Sequence, residues 1–168
     1  MNNKINFNKL QKTFIVAEIG VNHEGDVNKA KKMIDLASQS GVDAVKFQTF
    51  TVENYVSKKQ EERFKRVKKF ELTLEEFNII QRYAKKKKLI FFSTPLHSED
   101  IITLEKISPI IKISSGDLTH LELIKNAALT KKPLILSTGL GTKSEIKSAV
   151  KVIEKYRPNI KKRGELLI

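Results

Sequence analysis

Polar side chains that can bind ligands or move protons stand at the end of each short apolar run in the chain. Five such runs are separated by amphipathic stretches, which is typical of alternating strands and helices. Because ligands of parallel α/β folds bind at the carboxyl ends of the strands, this placement predicts one site built from several strand ends. The polar residues concerned are Glu18, Lys46, Gln48, Ser93, Thr94, Lys112, Ser114, Ser115, Ser137 and Thr138.

Two lysines lie inside otherwise apolar strands, which is costly unless a charged partner or ligand faces them. Lys46 and Gln48 are two residues apart and therefore point to the same side of their strand, as Lys112 does with the hydroxyl two residues further on. Two such lysines on different strands would form a pocket for a compact polyanion that carries a phosphate and a carboxylate. The alternative is that both lysines simply pair with Glu18 and Asp117 inside the fold.

The histidines and a glycine turn offer weaker candidates. His23 lies in the loop after the first run, where a histidine is more often a hydrogen-bonding residue than a metal ligand. His97 and His120 stand at predicted helix starts, where capping or exposure accounts for them. Residues 139–141 hold two glycines that would either cradle a phosphate or only form a turn, and the sequence has neither a dinucleotide-binding glycine motif nor a P-loop.

The charge of the chain favours an anionic partner. Its 168 residues include 32 Lys and Arg against 19 Asp and Glu, so the net charge is +13. Only five of these cations are arginines, whereas proteins that read nucleic acid favour arginine, and no aromatic residues are interspersed with the basic runs at 85–88 and 161–163. We therefore expect no nucleic-acid partner and interpret both runs as solvated surface.

Length and composition exclude several classes of protein and several kinds of functional site. The absence of cysteine excludes disulfides, thiolate metal sites and cysteine nucleophiles. A chain of 168 residues predicts one domain. No apolar run approaches the roughly 18 residues of a membrane span, and residues 1–11 lack the apolar stretch of a signal peptide. We expect a cytoplasmic protein that has no membrane partner.

The secondary structure is predicted from periodicity and from helix start signals. The apolar runs are apolar on both faces, as in strands that are covered by helices or closed into a barrel. Threonine capping boxes predict helices that start at Thr73, Thr119 and Thr142. The predicted strands are 14–19, 44–47, 89–92, 110–113 and 134–136, and residues 165–168 would open a sixth.

Two segments are less regular. A short helix is predicted to begin near Ser98 and to turn Ile101, Ile102 and Leu104 inward. The long charged connection 49–72 is predicted to be an irregular insertion.

Five segments, taken in order, resemble motifs of the sialic acid synthase (N-acetylneuraminate synthase) family. The resemblance runs from about residue 14 to about residue 153 and so covers most of the chain. The segments are 14–26 (FIVAEIGVNHEGD), 43–50 (DAVKFQTF), 92–95 (FSTP), 112–119 (KISSGDLT) and 132–139 (KPLILSTG).

The resemblance implies a fold and a reaction. Enzymes of that family have a TIM-type (β/α)8 barrel, usually followed by a small antifreeze-like domain. They condense phosphoenolpyruvate with an N-acetylated amino sugar to give a nonulosonic acid and release phosphate. We therefore expect an α/β chain in which residues 1–168 form a single, incomplete barrel domain of about five βα units plus the start of a sixth strand. We expect no antifreeze-like domain in it.

The resemblance also assigns roles to matching positions. Glu18 and Asp117 would be catalytic, positioning the sugar or water and handling protons. The phosphate and carboxylate of phosphoenolpyruvate would be held by Lys46, Gln48, Thr94, Lys112, Ser115 and Ser137.

The cofactor and the partners follow from the same resemblance. The family uses a divalent metal, Mn or Mg, whose histidine ligands lie on later strands. We expect those ligands to be absent from this chain, which would therefore have little synthase activity alone. The expected partners are phosphoenolpyruvate and an amino sugar, together with a second chain that completes the barrel or a second copy in a homodimer. The competing hypothesis is a non-catalytic phosphate-binding or interaction protein that another chain completes.

Overall fold

A computed structural model describes residues 5–168, in which six parallel strands form one sheet. The strands follow chain order across the sheet, so each pairs with the next along the sequence. Residues 1–4, which belong to the segment 1–11 that lacks the apolar stretch of a signal peptide, lie outside the described residues. The strands are β1 Val16–Gly20, β2 Ala44–Thr49, β3 Ile90–Pro95, β4 Ile111–Ile113, β5 Leu134–Leu136 and β6 Leu166–Leu167.

Helices connect the strands, and two short 3-10 helices lie at Phe7–Lys9, before β1, and at Ser115–Asp117, after β4. Among the residues that the structure describes, none of the helices has the length and apolar character that a membrane span requires. The α-helices are α1 Val27–Gln39, α2 Val52–Tyr55, α3 Glu61–Lys68, α4 Leu74–Lys86, α5 Asp100–Ile107, α6 Leu121–Leu129 and α7 Lys143–Tyr156.

Each face of the sheet has its own apolar core. One face, which includes Phe47, packs against α1, α4, α5, α6 and α7 in the main core. The other face carries a smaller cluster with Phe92 and Ile110, which Phe7 helps to close. The Phe7 amide donates a hydrogen bond to the Gly164 carbonyl at 2.6 Å, which ties the first 3-10 helix to the segment before β6. Because side chains alternate along a strand, the polar residues of this second face follow its apolar layer toward the carboxyl ends.

The five predicted strands and the start of a sixth are confirmed, with differences at their ends. β2 and β3 extend to Thr49 and Pro95, beyond the predicted bounds. They do so because their parallel pairing continues through Gln48 opposite Thr94. This extension carries the two strands into the polar end of the sheet, where the predicted site residues stand.

Two of the three predicted capping boxes are confirmed. The Thr73 and Thr142 hydroxyls each accept a hydrogen bond from the third amide of α4 and α7, and a glutamate reaches back in both cases. The prediction for α6 is wrong, because its N-cap is His120 and no side chain caps it. The His120 amide instead donates to the Asp117 carbonyl at 2.9 Å, so Thr119 lies inside a turn that continues the 3-10 helix.

The two less regular segments also differ from expectation. α5 buries Ile101 and Leu104, but Ile102 is 63% exposed because it lies about 100° around the helix from Ile101. The inward placement of Ile102 was therefore wrong. The connection after β2 contains α2 and α3. α3 has acidic residues in its first turn and basic residues in its last, a distribution that favours a helix through its dipole.

Candidate active site

Lys46 of β2 is buried among the strand ends, with 9% of its surface exposed. Its Nζ donates a hydrogen bond to Thr94 Oγ1 of β3 at 3.0 Å and lies 2.8 Å from Glu18 Oε2 of β1. The register of the sheet sets up the ion pair, because Glu18 stands opposite Lys46 across β1 and β2. Three neighbouring strands thus bring three of the predicted site residues into direct contact.

Lys112 of β4 adds a second, partly buried cation to the same region. Its Nζ donates a hydrogen bond to the Ile113 carbonyl at 3.1 Å. Burial lowers the pKa of Lys112 and repulsion from Lys46 lowers it further, whereas Glu18 and Asp117 act in the opposite direction. The two lysines are therefore close enough to repel each other. An anion bound between them would remove that repulsion.

Asp117 lies in the 3-10 helix that follows β4. Its Oδ2 accepts a hydrogen bond from Ser114 Oγ at 2.8 Å, a serine to which the family resemblance assigned no role. The pairing alternative holds for Lys46, whose partner is Glu18, but Lys112 donates to a backbone carbonyl instead of to Asp117. The Lys112 ammonium thus retains hydrogen-bonding capacity for a ligand, since an ammonium has three donors.

The remaining predicted ligands line the rim of the site. Gln48 is half-buried at the end of β2, opposite Thr94 of β3. Ser137 follows β5 directly, and its amide continues the sheet by donating to the Ile113 carbonyl at 3.1 Å. Ser115 is exposed on the turn after β4. All the predicted residues thus lie at the carboxyl ends of β1 to β5.

The glycine turn after β5 packs against the turn after β4. A Cβ on Gly139 would lie 3.5 Å from Ser115 Cβ, which is ordinary contact. A Cβ on Gly141 would lie 2.2 Å from Leu118 Cδ2, so a larger residue there would require the buried Leu118 side chain to shift. Of the two interpretations left open for these glycines, packing of the turn accounts for Gly141.

His23 is a buried hydrogen-bonding residue, as predicted for a loop histidine. The Gly25 amide donates to its Nδ1 at 3.0 Å, and its ring packs 5.8 Å from that of Phe47. Burial lowers its pKa, against a smaller opposing effect of Glu76, and favours the neutral imidazole. No group of three or more His, Asp or Glu side chains within residues 5–168 could hold a metal ion. The described residues therefore do not fit the family's divalent metal.

Sequence reasoning missed the most buried carboxylate near this site. Asp100, in the first turn of α5, is 3% exposed, and its Oδ2 accepts a hydrogen bond from the His97 amide at 2.9 Å. Burial raises its pKa to about 6. Its sequence context, Ser98-Glu99-Asp100 at a helix start, suggests only an ordinary polar cap. No local signal could have shown that the packed fold would bury this side chain.

Comparison with known proteins agrees with this fold. The sialic acid synthetase of Leptospira borgpetersenii, solved in complex with citrate, superposes with a TM-score of 0.81 and 34% identity over 93% of this chain and 52% of that one. The predicted TIM-type α/β fold, present as part of a barrel, is thereby confirmed.

Curated relatives match at the level of sequence. The N,N'-diacetyllegionaminic acid synthase of Campylobacter jejuni is 39% identical over 158 residues, which cover 86% of this chain and 47% of that enzyme. An uncharacterized protein of Methanocaldococcus jannaschii is 44% identical over 147 residues, covering 87% of this chain and 43% of that protein. This chain spans about half the length of the curated relatives it matches. Residues 33–164 match the model of the NeuB family, and the chain therefore belongs to the NeuB family.

Proposed function

We propose that this chain provides the phosphoenolpyruvate-binding part of a nonulosonic acid synthase. The observation that carries the proposal is that Lys46 and Lys112 lie on one face of the sheet, on the two strands that flank β3 and its Thr94. A site with two cations at a strand-end cleft suits a small ligand that has both a phosphate and a carboxylate. The Leptospira borgpetersenii relative was solved in complex with citrate, which is also a compact polyanion.

Each predicted side chain has a role that fits its position. The lysines would neutralise the phosphate and carboxylate of phosphoenolpyruvate, and Thr94, already held by Lys46, would donate its hydroxyl. Gln48, Ser115 and Ser137 would complete the hydrogen bonds at the rim. Because Lys46, Thr94 and Lys112 come from strands, they are oriented before the ligand arrives, and such preorganised charge is usually the largest catalytic contribution.

The two carboxylates would serve the second substrate, an N-acetylated amino sugar. In the reaction the methylene carbon of phosphoenolpyruvate bonds to the aldehyde carbon of the sugar, whose oxygen takes up a proton. Water then adds to the cationic carbon of the former enol, and the bond to phosphate breaks. Glu18, 57% exposed in its side chain, and Asp117, at the rim, are placed to position the sugar or the water and to carry these protons.

The proposal also covers the strands of the barrel that these residues do not form. Because the chain spans about half the length of its relatives, we propose that further strands complete the barrel, on the same protein or on a second chain. Binding of phosphoenolpyruvate is then a property of this chain, whereas condensation needs the completed barrel. The single incomplete domain, the homodimer and the cytoplasmic location stay predictions.

Calorimetric titration of the purified chain with phosphoenolpyruvate tests the binding step. We expect Lys112→Ala to weaken binding by about ten- to a hundredfold, since a charge-assisted hydrogen bond contributes about 1.5–3 kcal/mol. Lys86→Ala is the matched control, because Lys86 is an exposed lysine in the last turn of α4. Equal affinities of the two variants, or no binding by the unmodified chain, would overturn the proposal.

A second candidate is a non-catalytic phosphate-binding protein that another chain completes. It is favoured by the edges of the sheet, since β1 and β6 each pair with one strand only within residues 5–168. Leu167 on β6 is 45% exposed, so this edge has apolar surface for a partner. Incubation of the completed barrel with phosphoenolpyruvate, N-acetylmannosamine and manganese separates the two candidates. Release of phosphate supports the synthase, and tight binding of phosphoenolpyruvate by the completed barrel without phosphate release supports the second candidate.

A further inference from the structure

The side chain of Ser114 holds the carboxylate of Asp117. Its Oγ donates a hydrogen bond to Asp117 Oδ2 at 2.8 Å, and the Asp117 amide donates to the Ser114 carbonyl at 3.1 Å. Both residues are half-buried. Because a hydrogen bond to an ionised group is among the stronger ones in proteins, these two contacts fix the direction in which the carboxylate points.

The carboxylate is held on the side of β4 that carries Lys112. Ser114 follows this strand directly and keeps an extended backbone, with φ −72° and ψ 157°. Side chains alternate along an extended chain, so Ser114 and Lys112, which are two residues apart, point to the same side. This placement alone would favour an ion pair between Lys112 and Asp117.

That ion pair does not form. None of the ion pairs within residues 5–168 includes Lys112, and its Nζ donates instead to the Ile113 carbonyl at 3.1 Å. The other lysine of the site offers a comparison, since Lys46 does pair with Glu18 at 2.8 Å. No hydroxyl group in the described part of the chain binds the Glu18 carboxylate, whereas that of Asp117 is bound by a serine.

The carbonyl that Lys112 contacts does not depend on the lysine. The Ile113 carbonyl also accepts a hydrogen bond from the Ser137 amide at 3.1 Å, which extends the pairing of β4 and β5. A carbonyl oxygen has two lone pairs, so it would remain bonded if Lys112 moved away. A bound anion could therefore take the Lys112 ammonium without leaving an unsatisfied backbone group, whereas at Lys46 it must displace a carboxylate.

From these contacts we propose that Ser114 is a positioning residue, which keeps Asp117 off Lys112 and so leaves the Lys112 ammonium available to the anionic substrate. The inference rests on the proposed function for the identity of that anion, phosphoenolpyruvate. Without the Ser114 hydroxyl, the Asp117 carboxylate would turn to Lys112. The ligand would then compete with a carboxylate at both lysines of the site.

The pKa of Lys112 agrees with this separation and can be measured without a ligand. Burial lowers it from its ordinary value, and repulsion from Lys46 lowers it further. The carboxylates of Glu18 and Asp117 act in the opposite direction but offset this lowering only in part. An ion pair with Asp117 would stabilise the charged ammonium and raise the pKa of Lys112.

A double-mutant cycle in the purified chain tests the inference. Ser114→Ala removes the hydroxyl, Ser114→Thr keeps one, and Asp117→Asn removes the charge that would compete for Lys112. Ser40→Ala is the matched control, because the exposed Ser40 hydroxyl bonds a carbonyl at the end of α1, that of Leu36, at 2.9 Å. Calorimetry gives the dissociation constant for phosphoenolpyruvate. NMR titration of the lysine side chains gives the pKa of Lys112, whose signal is identified by its loss in Lys112→Ala.

We expect Ser114→Ala to raise the pKa of Lys112 and to weaken phosphoenolpyruvate binding by about fivefold, the effect of an added ion pair. Ser114→Thr and the Ser40→Ala control should bind within about twofold of the unmodified chain. In the Asp117→Asn background, Ser114→Ala should change the affinity by less than about twofold, because the competing charge is already absent. An equal loss of affinity in both backgrounds would show that Ser114 only supports the turn and would overturn the inference, as would unchanged affinity in Ser114→Ala.

The outcomes also separate this inference from the proposed function. If the unmodified chain does not bind phosphoenolpyruvate, the proposed function fails together with the ligand named here. The pKa of Lys112 then decides whether Ser114 keeps the carboxylate away. A rise in Ser114→Ala that is absent when Asp117→Asn is also present supports this role, and an unchanged pKa in Ser114→Ala overturns it.

Discussion

Replacing Glu18 by glutamine removes the negative charge that lies 2.8 Å from Lys46 Nζ. In the absence of ligand the Glu18 carboxylate pairs with Lys46, the cation that we propose binds phosphoenolpyruvate. An incoming anion must therefore compete with Glu18 for Lys46 and also meets its repulsion. We predict that Glu18→Gln binds phosphoenolpyruvate more tightly, although the same change removes a proposed catalytic group.

The size of the effect follows from the exposure of the pair. At 2.8 Å two unit charges attract by about 1.5 kcal/mol in water. The Glu18 side chain is 57% exposed, although that of Lys46 is only 11% exposed, so solvent screens the pair strongly. Exposed pairs typically contribute about 0–1 kcal/mol, and taking about 1 kcal/mol gives about a fivefold gain in affinity. The gain should shrink as salt is added.

The assay is calorimetric titration at pH 7.5 with phosphoenolpyruvate and, separately, with inorganic phosphate. Glu154→Gln is the matched control, because Glu154 forms a pair with Lys161 at 3.2 Å and its side chain is 47% exposed. That variant should bind like the unmodified chain. Weaker binding by Glu18→Gln would refute the reasoning, since it would mean that Glu18 supports the anion site instead of competing for it.

Two further predictions concern stability and use urea denaturation. Arg157 is buried with Glu165 and also hydrogen-bonds a carbonyl, so Arg157→Met should cost about 3 kcal/mol, although Arg163 at 3.0 Å still contacts the glutamate. A loss below about 1 kcal/mol would contradict this role. Thr142→Ala should cost about 1 kcal/mol because it removes the cap of α7, whereas Thr119→Ala should cost less than about 0.5 kcal/mol. Equal losses would show that the α6 start has been assigned incorrectly.

The strand ends could be predicted because their signals are local. Lys46 and Lys112 interrupt apolar runs, and alternation along a strand fixes the face to which each points. The pairing of Lys46 with Glu18 could also be predicted, as the alternative to an anion-binding pocket. Sequence could not show that Lys112 bonds a backbone carbonyl instead of Asp117, because that choice depends on the turn after β4.

The errors have physical reasons that lie outside local patterns. The Thr119 capping box failed because a 3-10 turn, closed by tertiary packing of buried Leu118, occupies the residues before α6. Ile102 belongs to an apolar run that helical geometry divides between core and solvent.

A crystal structure of this chain with phosphoenolpyruvate tests the central claim most directly. The account predicts that oxygen atoms of the ligand lie within about 3 Å of Lys46 Nζ and Lys112 Nζ, at hydrogen-bonding distance. It also predicts that Lys46 turns at least partly from Glu18 toward the ligand. Phosphoenolpyruvate bound instead at the exposed lysines 85–88, with both strand lysines in their present contacts, would contradict it.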